Sequence, residues 1–251
     1  MTPLVLSVFP GIGLLDMAFE ERGFCVVRGP DLLWGGDIRK FHPPAGRFDG
    51  VIGGPPCQAF SRLRHVVEHN GYKVAENLIP EFCRVVAEAQ PEWFLMENVP
   101  AAPLPVVTNF YIRAYRLNAR EHCGSEQNRE RLFSFGTRDG RQLPLGWWAP
   151  PVPMKYEPAV LASGGERMTP VKIGGSGKSK AAVLGYKTRT YAAAAAAQGV
   201  PGLELPAFTI AAKIKAIGNG VPLPMGRAVA DAVWRAIHGD ALPAEQSGGS
   251  R

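Results

Sequence analysis

From Leu4 to Gly136 the chain repeats one arrangement: a short apolar run, a turn, and often a helix-like stretch. LVLSVF (Leu4 to Phe9) is too short and too uniformly apolar for an amphipathic helix, and the turn PGIG follows it. Leu14 to Arg22 then reads as a helix closed by Gly23. FCVVR and FDGVI are further short apolar runs. Pro80 suits the first turn of a helix ending at Ala89, with Phe82, Val85, Val86 and Ala89 on one face. EWFLMEN and RLFSFG add two more strands. Strands and helices that take turns have few packing solutions, and the pattern predicts an α/β fold with a parallel sheet covered by helices. With 251 residues, 46% of them hydrophobic, the chain can bury one sizeable core.

After Thr137 the pattern changes to a stretch rich in Gly, Pro, Trp and Lys, including GWWAPPVP and KIGGSGKSK. Helix formers return in TYAAAAAAQG, and a last helix is expected from near Pro222 to Ile237, with Val229, Ala232, Val233 and Ile237 on one face. The expected organisation is a first unit at 1–137, a short irregular lobe at 138–187, a returning segment at 188–240 and a tail of disordered composition at 241–251.

The formal net charge of +6 suits a polyanionic partner without requiring one. No run is long and apolar enough to span a bilayer, and the first residues lack a basic, signal-like start, so a cytoplasmic protein with no membrane partner is expected. Cys25, Cys57, Cys83 and Cys123 form no CxxC pair. Zinc or thioredoxin-like chemistry is therefore not expected, nor any other metal site, and the thiols should be free in a reducing compartment.

Four stretches carry chemistry. FPGIG, between a strand and a helix, is the kind of glycine turn that lets backbone approach a ligand at a helix N-terminus; Asp31 and then Asp37 follow at a distance suited to ribose and base contacts. An ordinary strand–helix turn with two surface aspartates reads the same way. Cys57 sits behind Pro55 and Pro56 at the end of DGVI, where open α/β sheets place ligand sites. A stiff mount of that kind suits a nucleophile, though a buried loop cysteine would also fit. Glu97 and Asn98 end the strand WFLM, on the rim that Cys57 shares. Arg129 and Arg131 in QNRERLF would point the same way from an extended chain, toward a site or into solvent.

In order, Phe9-Gly11-Gly13, Pro55-Pro56-Cys57-Gln58, Glu97-Asn98-Val99, Gln127-Arg129-Arg131 and Gly218-Asn219 resemble the motifs of the DNA cytosine-5 methyltransferases. The resemblance runs from Leu4 to about Val233. It implies a Rossmann-like methyltransferase sheet with 1–137 as catalytic and cofactor-binding domain and 138–187 as a small target-recognition lobe. It implies S-adenosyl-L-methionine as cofactor, S-adenosyl-L-homocysteine as product, and double-stranded DNA as partner, with a monomer favoured. Cys57 becomes the thiolate that adds to C6 of a flipped cytosine; Glu97 meets the N3 edge, and Arg129 and Arg131 lie beside them. The cofactor contacts implied are Phe9, Gly11, Gly13, Asp31, Asp37, Ile38, Pro55, Leu78, Asn219 and Val221. The DNA contacts implied are Gln58, Ser61, Arg62, Arg64, Asn98, Gln127, Lys178 and Lys180.

The sequence departs from that pattern in places. Ser7 stands where an acidic residue is usual, Asp31 and Asp37 are unusually close, and Ala192-Ala193 replace an Arg-Glu pair. Two other functions fit parts of the pattern: cytosine-5 methylation of a transfer-type RNA, and non-catalytic binding of a flipped cytosine.

Overall fold

The computed structural model describes residues 2–56, 60, 76–145, 157–162 and 189–239. Its centre is a sheet of six strands in the order β2-β1-β3-β4-β7-β5. Strands β1 (Leu4–Val8), β2 (Cys25–Arg28), β3 (Gly50–Gly53) and β4 (Trp93–Asn98) are mutually parallel. The parallel expectation fails beyond β4. Strand β7 (Glu130–Thr137) runs antiparallel between β4 and β5 (Tyr111–Asn118), pairing Glu97 with Phe133 and Tyr115 with Phe133. β5 was not anticipated, because YIRAYRLN interrupts its apolar residues with arginines. An edge strand tolerates that pattern, since one side of it meets solvent.

Side-chain alternation builds two cores. Val5, Ile52, Leu95, Phe133 and Phe135 face one side, where α1 (Leu14–Arg22) and the last helix, α6 (Leu223–His238), cover them. Leu6, Val8, Val51, Phe94 and Met96 face the other, against α2 (Ile79–Ala89) and its Phe82, Val85, Val86 and Ala89. Period-two alternation in the strands and a single apolar stripe on each helix produce these layers. The last helix lies along the first: Asp231 accepts from Arg22 at 2.9 Å, and Arg227 is paired to Glu21.

Two departures from regular structure shape the rim of the sheet. The first strand stops at Val8, one residue before the expected end, because Phe9 turns into the left-handed region at φ 56°. Gly13 then opens α1 at φ 80°, and a Cβ there would lie 2.8 Å from the Arg28 guanidinium. From Asp31 to Asp37 the chain makes only a 3-10 turn at Leu32–Trp34 before the next at Ile38–Lys40, so β2 is left as an edge.

Beyond β5 come α3 (Ala119–Cys123), β6 (Gln127–Asn128) and β8 (Glu157–Pro158), the last two paired in parallel. Then α4 (Tyr191–Ala197) and α5 (Ile210–Asn219) lead to α6. α5 had no counterpart in the sequence expectations. The expected lobe at 138–187 is described only at 138–145 and 157–162, and the tail at 241–251 lies outside the described residues.

Candidate active site

At the C-terminal ends of β1, β3 and β4 a cavity of about 670 Å³ opens. Phe9 and Gly11 form one wall, Asp31, Asp37 and Ile38 another, and Pro55, Leu78, Asn219 and Val221 complete it. The expected cofactor positions thus converge on one space, large enough for a nucleoside-sized ligand. Gly13 is the exception. It is absent from the lining, and its work is to open α1 against Arg28.

The acidic groups of this wall are already engaged. Asp31 accepts from Gly11 N at 2.8 Å with one oxygen and from Leu33 N at 2.7 Å with the other, tying the glycine turn to the loop after β2. Trp34 Nε1 makes a second tie by donating to Gly11 O at 2.6 Å. Asp37 is gripped by Arg39, whose hydrogen bonds pull its carboxyl below the usual range. Arg84, from α2, donates to Ile38 O at 2.8 Å and Phe41 O at 3.1 Å, so it fixes the same loop from outside. Ser7 has a compensating neighbour. Its hydroxyl donates to Asp16 at 2.6 Å, and Arg28 donates to the other Asp16 oxygen at 3.0 Å. Burial raises the Asp16 pKa, against the pull of Ser7 and Arg28. A carboxylate therefore does border the cavity here, supplied from one turn inside α1 rather than from β1.

Glu97 and Arg131 line the opposite part of the cavity and pair at 2.7 Å. Burial pushes the Glu97 carboxyl up; the charges of Arg131 and Arg129 and the Arg131 hydrogen bond pull it down. Its second oxygen lies beside the turn at Gly54, where a Cβ would come within 3.1 Å of it. Asn98 Nδ2 donates to Pro55 O at 3.1 Å. The end of β4 therefore grips the turn from Gly53 to Pro56, the residues that lead directly into Cys57.

Cys57, Gln58, Ser61, Arg62, Arg64, Lys178 and Lys180 lie outside the described residues. Among the described cysteines, Cys83 and Cys123 are poor nucleophiles because burial raises their thiols, that of Cys123 to about 12. Cys25 is exposed on the edge strand β2, away from the cavity lining.

Residues 34–103 match the family model described as C-5 cytosine-specific DNA methylase, an interval that spans Asp37, the diproline turn and Glu97. The Type II methyltransferase M.FnuDI of Fusobacterium nucleatum is 31% identical over 166 residues, covering 53% of this chain and 46% of that protein. The chain thus spans about half the length of the curated relatives it matches, or less. The fold is shared with the Entamoeba histolytica methyltransferase EhMeth, at a TM-score of 0.65 and 12% identity, over 94% of this chain and 99% of that one. Spodoptera frugiperda DNMT2 aligns at a TM-score of 0.61 and 14% identity, over 93% and 100%.

Within this methylase-like chain, three expected contacts turn out to be structural ties. Gln127 is fully buried. Its Nε2 donates to Ala197 O and, at 3.0 Å, to Gln198 Oε1, and its Oε1 accepts from Val160 N at 2.9 Å. Arg129 is buried too and donates to Val160 O at 2.6 Å, Gly218 O at 2.8 Å and Gly220 O at 3.1 Å. Asn98 is buried against the Pro55 carbonyl. None of the three presents a free edge to DNA. Arg129 and Arg131 both act on the Glu97 charge, as their expected nearness to it implies, but their hydrogen bonds differ. Arg129 reaches across to the C-terminal segment, and only Arg131 lines the cavity. Burial accounts for this: polar and charged groups shielded from solvent are held mostly by internal hydrogen bonds.

Sequence reading missed Asp16, Arg84 and, on the cavity-facing side of α5, Ala212, Lys215 and Ala216 beside the expected Asn219. That last set has helical spacing (i, i+3, i+4, i+7), a signal present in the run IAAKIKAIGN but not drawn on in the sequence expectations. Among the described residues no cluster of metal ligands occurs, and no helix is long and apolar enough to cross a membrane.

Two outcomes test this geometry. Asp31→Ala removes the acceptor for Gly11 N and Leu33 N, so the wall loosens as well as losing its charge. Calorimetry is expected to find S-adenosyl-L-homocysteine bound about tenfold or more weakly; unchanged affinity would remove Asp31 from the ligand wall. Arg131→Met leaves Glu97 with less to oppose burial. A carboxyl with a raised folded pKa binds more protons folded than unfolded, so stability falls as pH rises toward that folded pKa. Loss of Arg131 lifts the folded pKa further and extends the window upward. Thermal melts between about pH 5 and 8 are expected to show a steeper decline for Arg131→Met than for the wild type. Parallel profiles would contradict the pairing.

Proposed function

We propose that this chain transfers a methyl group to C5 of a cytosine in double-stranded DNA. The observation that carries the reading is the shared cavity. A nucleoside-sized wall and the Glu97–Arg131 pair open into one space, and the turn entering Cys57 is held against that pair. The donor set fits S-adenosyl-L-methionine: apolar Phe9, Ile38, Pro55 and Leu78 for flat and aliphatic parts, and Asp31 at a ribose position. Asn219 and Val221 close the wall from α5 and the turn after it. That cofactor supplies the electrophilic methyl group and leaves as S-adenosyl-L-homocysteine.

The chain's own residues do the remaining chemistry. Cytosine C5 is a weak nucleophile. Addition of the Cys57 thiolate to C6 pushes electron density onto C5. Glu97, kept toward its protonated form by burial, donates to N3 and stabilises the added ring. Arg131 fixes one Glu97 oxygen and leaves the other toward the diproline turn. C5 takes the methyl group, its proton then passes to water, and elimination of the Cys57 sulfur with return of the N3 proton to Glu97 restores the aromatic ring. A base inside a stacked duplex cannot be reached this way, so the target cytosine is flipped out. Gln58, Ser61, Arg62 and Arg64, directly after Cys57, and Lys178 and Lys180 in the lobe are assigned to DNA.

Methyl transfer from labelled cofactor to duplex DNA and to transfer RNA, side by side, tests the proposal. Label in DNA alone, located at cytosine C5 by bisulfite sequencing, is expected. Label in RNA alone would replace the substrate while keeping the chemistry. Tight DNA binding without transfer in a correctly folded preparation would leave a non-catalytic binder.

A further inference from the structure

The ionic lining of the cavity is almost entirely self-satisfied. Arg39 is held by Asp37 and Glu76, Arg131 by Glu97, and Asp16 by Ser7 and Arg28. Lys215 differs. It lines the cavity from α5, and no ion pair or hydrogen bond engages its ammonium among the described residues. Its helix neighbours on that side, Ala212 and Ala216, are too short to shield it. Lys213, two residues earlier, is turned elsewhere, over the Tyr191 ring.

The placement of α5 says which part of a ligand Lys215 would meet. Before the helix, Phe208 packs edge-on against Trp34, whose indole is bonded to Gly11 O. After it, Gly220 sits against Leu14, where a Cβ would come within 2.6 Å of the leucine side chain. The helix is therefore fastened through Trp34 to the glycine turn at its start and against Leu14, the first residue of α1, at its end, and Lys215 lies one turn before Asn219 on that wall. The Glu97–Arg131 pair comes from different elements, the ends of β4 and β7.

On the functional reading above, the cofactor brings one carboxylate, that of its amino-acid end. An anion in a cavity bordered by Asp16, Asp31, Asp37, Glu76 and Glu97 needs a cation not already committed to one of them. We propose that Lys215 binds the amino-acid carboxylate of the cofactor, and that it sets the preference of this site for ligands that keep that group.

The inference rests on the proposed function, and calorimetry separates the two. S-adenosyl-L-homocysteine and its decarboxylated analogue are titrated into the wild type, Lys215→Met and Lys215→Arg. Lys215→Met is expected to bind S-adenosyl-L-homocysteine about tenfold or more weakly and the decarboxylated analogue with unchanged affinity, while Lys215→Arg keeps most of the binding. Equal weakening for both ligands, or none for either, overturns the assignment and leaves the methyltransferase reading standing. So does a Lys215→Met effect confined to duplex DNA, seen as a shallower salt dependence, which would give the lysine to a phosphate instead. A folded wild type that binds neither nucleoside overturns both.

Discussion

Cys57→Ser is expected to reduce methyl transfer to background while leaving the thermal midpoint and DNA affinity near those of the wild type. A serine hydroxyl at neutral pH supplies almost no anion, so addition at C6 fails even when the base is correctly held. The other cysteines offer no rescue. Cys83 and Cys123 are suppressed by burial, and Cys25 is on the far edge strand. The control is Cys25→Ser, which removes an exposed thiol from β2 and is expected to transfer methyl groups at the wild-type rate. A Cys57→Ser protein that still methylates at a comparable rate would end the covalent mechanism. A Cys57→Ser protein that fails to bind DNA would mean that the thiol serves the fold of its turn.

The largest stability effect is expected at Arg129. Its guanidinium joins three carbonyls from distant parts of the chain: Val160 beyond β8, Gly218 in α5 and Gly220 after it. Beside it, Gln127 holds Val160 N and the end of α4, and Gln198 Nε2 donates to Ile217 O at 2.6 Å and Gly220 O at 3.1 Å. This buried polar junction fastens the C-terminal segment to the sheet. Arg129→Met fills much of the volume but leaves buried carbonyls without their donor, which costs about 3–5 kcal/mol. For a chain of this size that lowers Tm by about 6–15 °C, readable by calorimetry. Asn219 and Val221 stand immediately beyond the junction and line the cavity, so nucleoside affinity is expected to fall with the midpoint. A midpoint within a degree or two of wild type would return Arg129 to a role at the substrate.

How far the sequence can be read follows from the same contrast. The α/β class and β1 to β4 were legible as short apolar runs between turns, α2 and α6 from a strong apolar stripe with Pro80 at the start of α2, and α1 from the glycines around it, Gly13 and Gly23. β7 was legible as a strand in RLFSFG, but its antiparallel direction was not. Direction follows from the connection through β5, and the arginines of β5 hide its strand character. All the expected cofactor positions except Gly13 line the one cavity, and Phe9, Gly11, Asp31 and Pro55 do so from turns just after strands, where the fold leaves little choice of direction. Asn98, Gln127 and Arg129 carry the opposite lesson. Each is a polar residue inside a motif, and polarity in a sequence looks alike whether it faces a ligand or a buried carbonyl. Only their burial, against the exposure of Lys215 on α5, distinguishes the two uses.

The most direct test of the account is a covalent trap. Duplex DNA carrying 5-fluorocytosine at the methylated position, incubated with the full chain and S-adenosyl-L-methionine, blocks release of the enzyme because fluorine cannot leave as the C5 proton does. The account predicts a protein–DNA adduct that forms only when the cofactor is added and that peptide mass spectrometry places on Cys57. A preparation that methylates unmodified DNA yet forms no adduct, or forms one on Cys25, Cys83 or Cys123, would contradict it.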